Sequence, residues 1–179
     1  MPPPVTPPDA PPDATELEVV RTSDAGLPVI ALDLAGHRYE LELAATNSAR
    51  MRGLGGRRTL PPGTGMLFVH PDDLRRNYWM KDCLIAMDLA FLDRQGRIVA
   101  MHRLEPEDPR RARESAADYH ARLRRYPSRR PARYAIELPP GDLDALGLAV
   151  GDTVPLPRAP LDELAAREIL GDRGARRRP

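Results

Sequence analysis

At 179 residues, with 41% apolar and 30% charged side chains, the chain has the size and composition of one globular domain with appendages. A formal net charge of +1 supplies no general attraction to nucleic acid or to an anionic membrane. The single cysteine excludes an intramolecular disulfide and a cysteine-rich zinc site, and no apolar run approaches the roughly 20 residues of a membrane-spanning helix.

Residues 1–15 consist of Pro, Asp, Ala and Thr with a few others and have almost nothing to bury, which predicts a disordered, extended linker. They lack the basic start and apolar core of a signal peptide, so the chain as written reads as cytoplasmic. Behind an export segment the same Pro-rich start would serve equally as a tether. Val29–Leu34 and Tyr39–Leu43 flank Ala35-Gly36, and the second run alternates apolar and charged residues, the pattern of a hairpin with one buried face. Thr46 is placed to cap a short helix carrying Ala49, Met51 and Arg52 that stops at Gly53. The loop GLGGRRTLPPGTG follows.

Met66–Val69 reads as a strand closed by His70-Pro71, and Asn77–Met80 and Ile85–Leu92 as two more. Asp93–Gly96 is a turn into Arg97–Arg103, a second hairpin. Asp108-Pro109 looks like the start of an Arg-rich helix running to about Arg125, with Ala116, Tyr119, Leu123 and Tyr126 as its narrow apolar stripe. Arg133–Leu138 and Thr153–Leu156 are strands, Asp142–Leu146 is a turn of helix, and Leu161–Ile169 outlines a C-terminal helix with a basic tail. Seven or eight short strands without regular strand–helix alternation predict an all-β, β-rich domain: a small sandwich or open barrel, jelly-roll-like, with short helices and one inserted Arg-rich helix. The expected division is a linker at 1–15, one domain over 16–157 with its insertion at about 109–125, and a helix and tail at 158–179.

The chain is organised around Gly65–Leu92, which holds both Phe residues, the only Trp and the only Cys. It also holds the only Lys: of 27 basic residues, every one but Lys81 is Arg. A compact ammonium on a flexible stem differs from a guanidinium in hydration and in ease of deprotonation, which makes Lys81 the strongest residue-level pointer to a site.

The residues from Arg50 to Pro106, above all Gly65-Met66-Leu67-Phe68, Trp79-Met80-Lys81 and Asp88, followed later by YAIELPPG and LGLAVGD, resemble the family called domain of unknown function 192. The resemblance spans about Leu41 to Leu156. It implies a small β-rich, jelly-roll-like domain and no agreed activity. Gly55 stands where that family usually has Met, Asp82-Cys83 stands where it has Asn-Thr, and the Arg-rich stretch from Pro109 to Arg125 looks like an insertion.

Lys81 and Asp88 are expected to face one another across one sheet face beside Trp79, at the edge of the largest pocket, with Arg57 reaching in from the glycine loop. The competing reading is a salt bridge that fixes strand register beside a core Trp. The glycine loop is not a P-loop, since no Lys-Ser/Thr follows. His70 and His102 have no metal-site spacing, Cys83 has Lys81 and Asp82 of opposite sign beside it and reads as a small core residue, and no cofactor or serine-hydrolase pattern is present. Arg110 to Arg133 forms a basic cluster without a nucleic-acid motif. Three functions stay open: non-enzymatic binding of a small anionic or polar ligand or a peptide end around Arg57, Trp79, Lys81 and Asp88; an unassigned reaction using Lys81 and Asp88; and a scaffold that docks a protein partner through the Arg-rich segment. Oligomeric state is not encoded legibly.

Overall fold

The structure, a computed structural model, describes residues 17–175, with side chains described up to residue 168. The expected linker at 1–15 and the last four residues of the basic tail lie outside the described residues. Seven strands form one sheet: β1 (Val19–Thr22), β2 (Pro28–Leu34), β3 (His37–Ala44), β4 (Thr64–Tyr78), β5 (Met87–Leu92), β6 (Ile98–Leu104) and β7 (Tyr126–Leu138). Their order is β1-β2-β3-β4-β7-β5-β6. The fold is thus β-rich, and the strands all belong to one connected sheet.

Side-chain alternation gives that sheet a core on each face. On one face Ile30, Leu41, Leu67, Ala90, Tyr134 and Ile136 pack with Leu143 of α3 (Asp142–Ala145) and Leu161 and Ala165 of α4 (Arg158–Ala175). On the other, Met66, Phe68, Leu89, Phe91 and Ala135 pack beneath Ala49 of α1 (Asn47–Arg52), Leu54 and Met80. The Thr46 cap forms as expected, its hydroxyl accepting from the Ala49 amide at 3.2 Å.

All the sheet's pairings are antiparallel except β3 with β4. A parallel pair needs a crossover. Here residues 45–63 supply it, carrying α1 and the glycine loop over one face.

Four local expectations are corrected. Met66–Val69 and Asn77–Tyr78 are parts of one long strand, and Met80 lies beyond its end. Pro71 is accommodated because the register of β4 against β7 shifts between Val69 and Leu74, where no ladder bond is lost to the missing N–H. The Arg-rich helix is shorter than expected: α2 spans only Ala116–Arg122. It starts where the Ser115 hydroxyl accepts from the Asp118 amide at 3.0 Å, which lets Tyr119 and Leu123 bury, whereas Tyr126 already belongs to β7. Thr153–Leu156 contributes one isolated bridge to Arg97 in place of a strand, with Val154 and Leu156 buried. The exposed strand β1, which carries no alternation, pairs with β2 unanticipated.

At the centre of the sheet β7 lies between β4 and β5. A Cβ built on Gly65 would overlap the carbonyl oxygen of Glu137 and touch Leu41 and Leu138 side chains at 3.0 Å. Gly65→Ala should therefore destabilise the fold by about 3 kcal/mol, a cost of overpacking against backbone that cannot rotate away. Chemical denaturation measures it, and a loss below about 1 kcal/mol would mean that the β4–β7 spacing is not fixed by this contact.

Candidate functional site

The crossover and the strand faces beneath it enclose a cleft of about 590 Å³. Gly53 and Leu54 come from the glycine loop, Arg50 from α1, Phe68, His70 and Tyr78 from β4, Trp79 and Lys81 from the segment after it, and Glu137 from β7.

Two of the expected ligand-binding residues, Trp79 and Lys81, line this cleft, and two, Arg57 and Asp88, do not. Trp79 is half-buried. The Arg125 guanidinium carbon lies 4.0 Å from its ring centroid and the His120 ring 5.0 Å away. The indole is therefore covered by a cation, an arrangement that holds positive charge at the mouth of the cleft. Lys81 is not on a strand. The Cys83 amide donates to the Met80 carbonyl at 3.2 Å and Asp82 has φ 58°, so residues 80–83 form a tight turn. Asp and Asn are the non-glycine residues best suited to that left-handed conformation, which explains how Asp82 can stand where the resembled pattern has Asn. The Gly56 amide donates to the Asp82 carbonyl at 2.9 Å, tying the glycine loop to the same turn. The Lys81 side chain is 39% exposed, with its ammonium 3.9 Å from Asp82.

The expected Lys81–Asp88 pair does not form. Asp88, 3% exposed, alternates with Met87 and Leu89 and so points to the opposite face, toward α3. There it accepts hydrogen bonds from Arg103 and from the amides of Gly141 at 2.8 Å and Leu143 at 3.1 Å. Arg57 is likewise engaged elsewhere, donating to Glu42 at 2.7 Å, while Glu42 also accepts from Ser23 at 3.0 Å. Both residues tie the fold together.

The buried carboxyl group that faces the cleft is Glu137, which reading the sequence by strand pattern missed. It sits on the central strand, opposite Met66 on β4 and Leu89 on β5. It is 6% exposed, and its Oε2 has no hydrogen-bond partner among the described residues. Burial without compensation pushes its pKa up to about 8, which favours the neutral acid, a proton donor, over the carboxylate. The sequence signal was a lone acid between Ile136 and Leu138 in a strand buried on both faces.

The neighbouring titratable groups are quiet. Burial, helped by Arg76 and Arg50, lowers His70 to about 3, and its Nε2 lies 2.9 Å from the Tyr78 hydroxyl, whose own pKa burial raises. Burial first, then Glu137 and Asp82, pushes the Cys83 thiol up to about 12, and Cys83 packs against the core; such a thiol is no nucleophile at neutral pH. His102 is remote from His70 in role, sitting 2.8 Å from the Pro127 carbonyl. Among the described residues no group of three His, Cys, Asp or Glu side chains is placed to hold a metal ion.

Two measurements test these assignments. Asp88→Ala leaves two backbone amides and a guanidinium without their acceptor, and should cost about 3 kcal/mol in denaturation; a near-neutral result would remove its structural role. Glu137 binds its proton more tightly when folded than at its ordinary value of 4.5. Its contribution to stability should therefore fall as pH rises from about 4.5 towards about 8, by about 1.4 kcal/mol per pH unit, and level off above; the lowered His70 acts in the opposite sense up to its ordinary 6.5, so the net fall shows between about 6.5 and 8. Glu137→Gln should abolish that slope, and parallel pH–stability curves for the two proteins would contradict a neutral Glu137.

Comparison with known proteins bears on the whole unit. A protein of unknown function from Novosphingobium aromaticivorans DSM 12444 has a similar structure, with a TM-score of 0.62 at 23% identity, over 79% of this chain and 94% of its own. A protein from Sinorhizobium meliloti 1021 described as a candidate transcription regulator is similar with a TM-score of 0.54 at 27% identity, over 78% of this chain and 95% of its own. No curated protein matches the chain. The family model of DUF192, described as "Uncharacterized ACR", matches residues 30–156, a span that contains Gly65, Trp79, Lys81, Asp88 and Glu137 alike, and the chain belongs to that family.

Proposed function

We propose that the protein is a non-enzymatic binding domain for a small organic anion, taken into the cleft beside Trp79 by Lys81 and Arg125. The observation that carries this reading is the cleft's charge. With Glu137 neutral, the cations Arg50, Arg52, Arg76, Lys81 and Arg125 face the single carboxylate Asp72. Arg50 and Arg76 are engaged with Glu168 and Asp72, and Arg52 reaches out to the Ala25 carbonyl at 3.4 Å, which leaves Lys81 and the Trp79-stacked Arg125 to meet a carboxylate or phosphate. The exposed Met51 offers apolar surface for the rest of the molecule, in front of the buried Leu54 and Phe68. A volume of about 590 Å³ is in the range of small-molecule sites.

A reaction run by Lys81 and Asp88 together has no support, because the two face different sides of the sheet. Docking through the Arg-rich segment is supported less than binding in the cleft. Arg122 is paired with Glu114, Arg133 with Asp162, and Arg125 lies on Trp79.

Trp79 is the only tryptophan, so its emission reports on the cleft directly. Hexanoate should change that emission saturably and hexylamine should not. Lys81→Gln should weaken hexanoate by about tenfold, and Lys81→Arg by about threefold or less, as expected when charge rather than a deprotonatable amine is used. Equal responses to the acid and the amine, or an unchanged affinity in Lys81→Gln, would overturn the proposal.

A further inference from the structure

The binding reading treats the cleft as a cationic mouth, yet its floor has a different chemistry. Glu137 lies on the central strand, its side chain 6% exposed, lining the cleft, with Oε2 unpartnered. Apolar residues flank it from both neighbouring strands, Met66 on β4 and Leu89 on β5.

The groups able to answer it are directed elsewhere. From β4, His70 and Tyr78 meet one another and Arg76 is held by Asp72. From the turn, Lys81 lies nearest Asp82 and the Cys83 thiol is directed at the Lys81 carbonyl, 3.6 Å away. From α1, Arg50 is held by Glu168 and Arg52 reaches the Ala25 carbonyl at 3.4 Å. Before β7, Arg125 donates to the His120 carbonyl at 3.0 Å. β5 offers the apolar Leu89. A buried polar group in such a setting requires an acceptor from outside the chain.

We infer that Glu137 donates a hydrogen bond to an uncharged oxygen of the bound molecule. This rests on the anion-binding reading and narrows it: the ligand class becomes organic anions with a carbonyl, amide or ester oxygen at the end remote from the charge. The anionic end meets Lys81 and Arg125, the middle passes along the exposed Met51, and the neutral oxygen accepts from the Glu137 carboxyl. Two ends of different chemistry fix orientation as well as affinity. A site built to hydrogen-bond an oxygen rejects the analogue without it far more strongly than an apolar site rejects one methylene. The proton that makes this bond is lost as pH rises through about 8, when the carboxylate would repel the same oxygen.

The test uses the full chain and two probe series, read by Trp79 emission. N-acetylglycine, N-acetyl-γ-aminobutyrate and N-acetyl-ε-aminocaproate vary the spacing between charge and amide, and each is set against the alkanoate of equal length. In one spacing the acetamido compound should bind about tenfold more tightly than its alkanoate at about pH 6.5, and lose that advantage by about pH 9.5. Glu137→Gln, whose amide N–H also donates, should keep the advantage at both pH values, and Glu137→Leu should lose it at both. Carbon-detected NMR of the free wild-type protein should show Glu137 titrating near 8. Titration in the ordinary carboxylate range, or equal affinity of acetamido and plain alkanoates at every spacing, overturns this inference and leaves the cationic cleft standing. No response to either series removes both readings.

Discussion

β4 and β7 meet where Gly65 leaves room only for hydrogen against the backbone of Glu137, and much of the molecule depends on that approach. This central pair joins β1-β2-β3 on one side to β5-β6 on the other. It also sets which side chains of β7 face which core, since a register change of one residue would exchange Glu137 with Leu138. The second condition is the parallel pairing of β3 with β4. It forces the chain to cross over the sheet between them, and that crossover brings Arg50, Gly53 and Leu54 above the face on which Glu137 lies. The cleft is a product of topology: a hairpin at this point would have left the face open.

The hairpins were legible because their information is local. Ala35-Gly36 and Asp93–Gly96 are turns between alternating runs, and β2–β3 and β5–β6 pair as the pattern requires. The one-sheet order was not legible. Nothing in Met66–Val69 says that its neighbours are β3 in parallel and β7 antiparallel, because an apolar run buried on both faces specifies no partner. The long β4 was hidden by Pro71, which reads as a strand terminator unless the register shift that accommodates it is known.

At the site, composition and alternation carried different information. Lys81 stood out as the single lysine, and it lines the cleft with Trp79. The argument that placed the two on one strand face assumed extended backbone through Met80, whereas the turn at 80–83 with its left-handed Asp82 presents Lys81 by another route. The choice of carboxylate went wrong for a related reason. Asp88 and Glu137 both sit in apolar strands, on β5 and β7 two strands that pair with each other, with Leu89 opposite Glu137 and Asp88 opposite Leu138. Only the three-dimensional register shows that they point to opposite faces, and that it is Glu137 which shares a face with Phe68.

Three buried carboxyl groups in this one sheet allow an internal comparison. Asp88 has Arg103 and two backbone amides, and Glu42 has Arg57 and Ser23. Each is satisfied by residues distant in sequence, so the fold supplies partners where a buried acid serves structure. Glu137 has none on Oε2, and the cations nearest its cleft are committed to Glu168 and Asp72. An apolar residue of similar volume at this position would avoid the desolvation cost. A buried acid with an unpartnered oxygen, lining a cleft, therefore carries a cost in stability that packing alone does not repay. Departures of this kind from local consistency concentrate at sites that do something. On that ground the proposed discrimination among ligands is placed at the floor of the cleft, beneath Lys81.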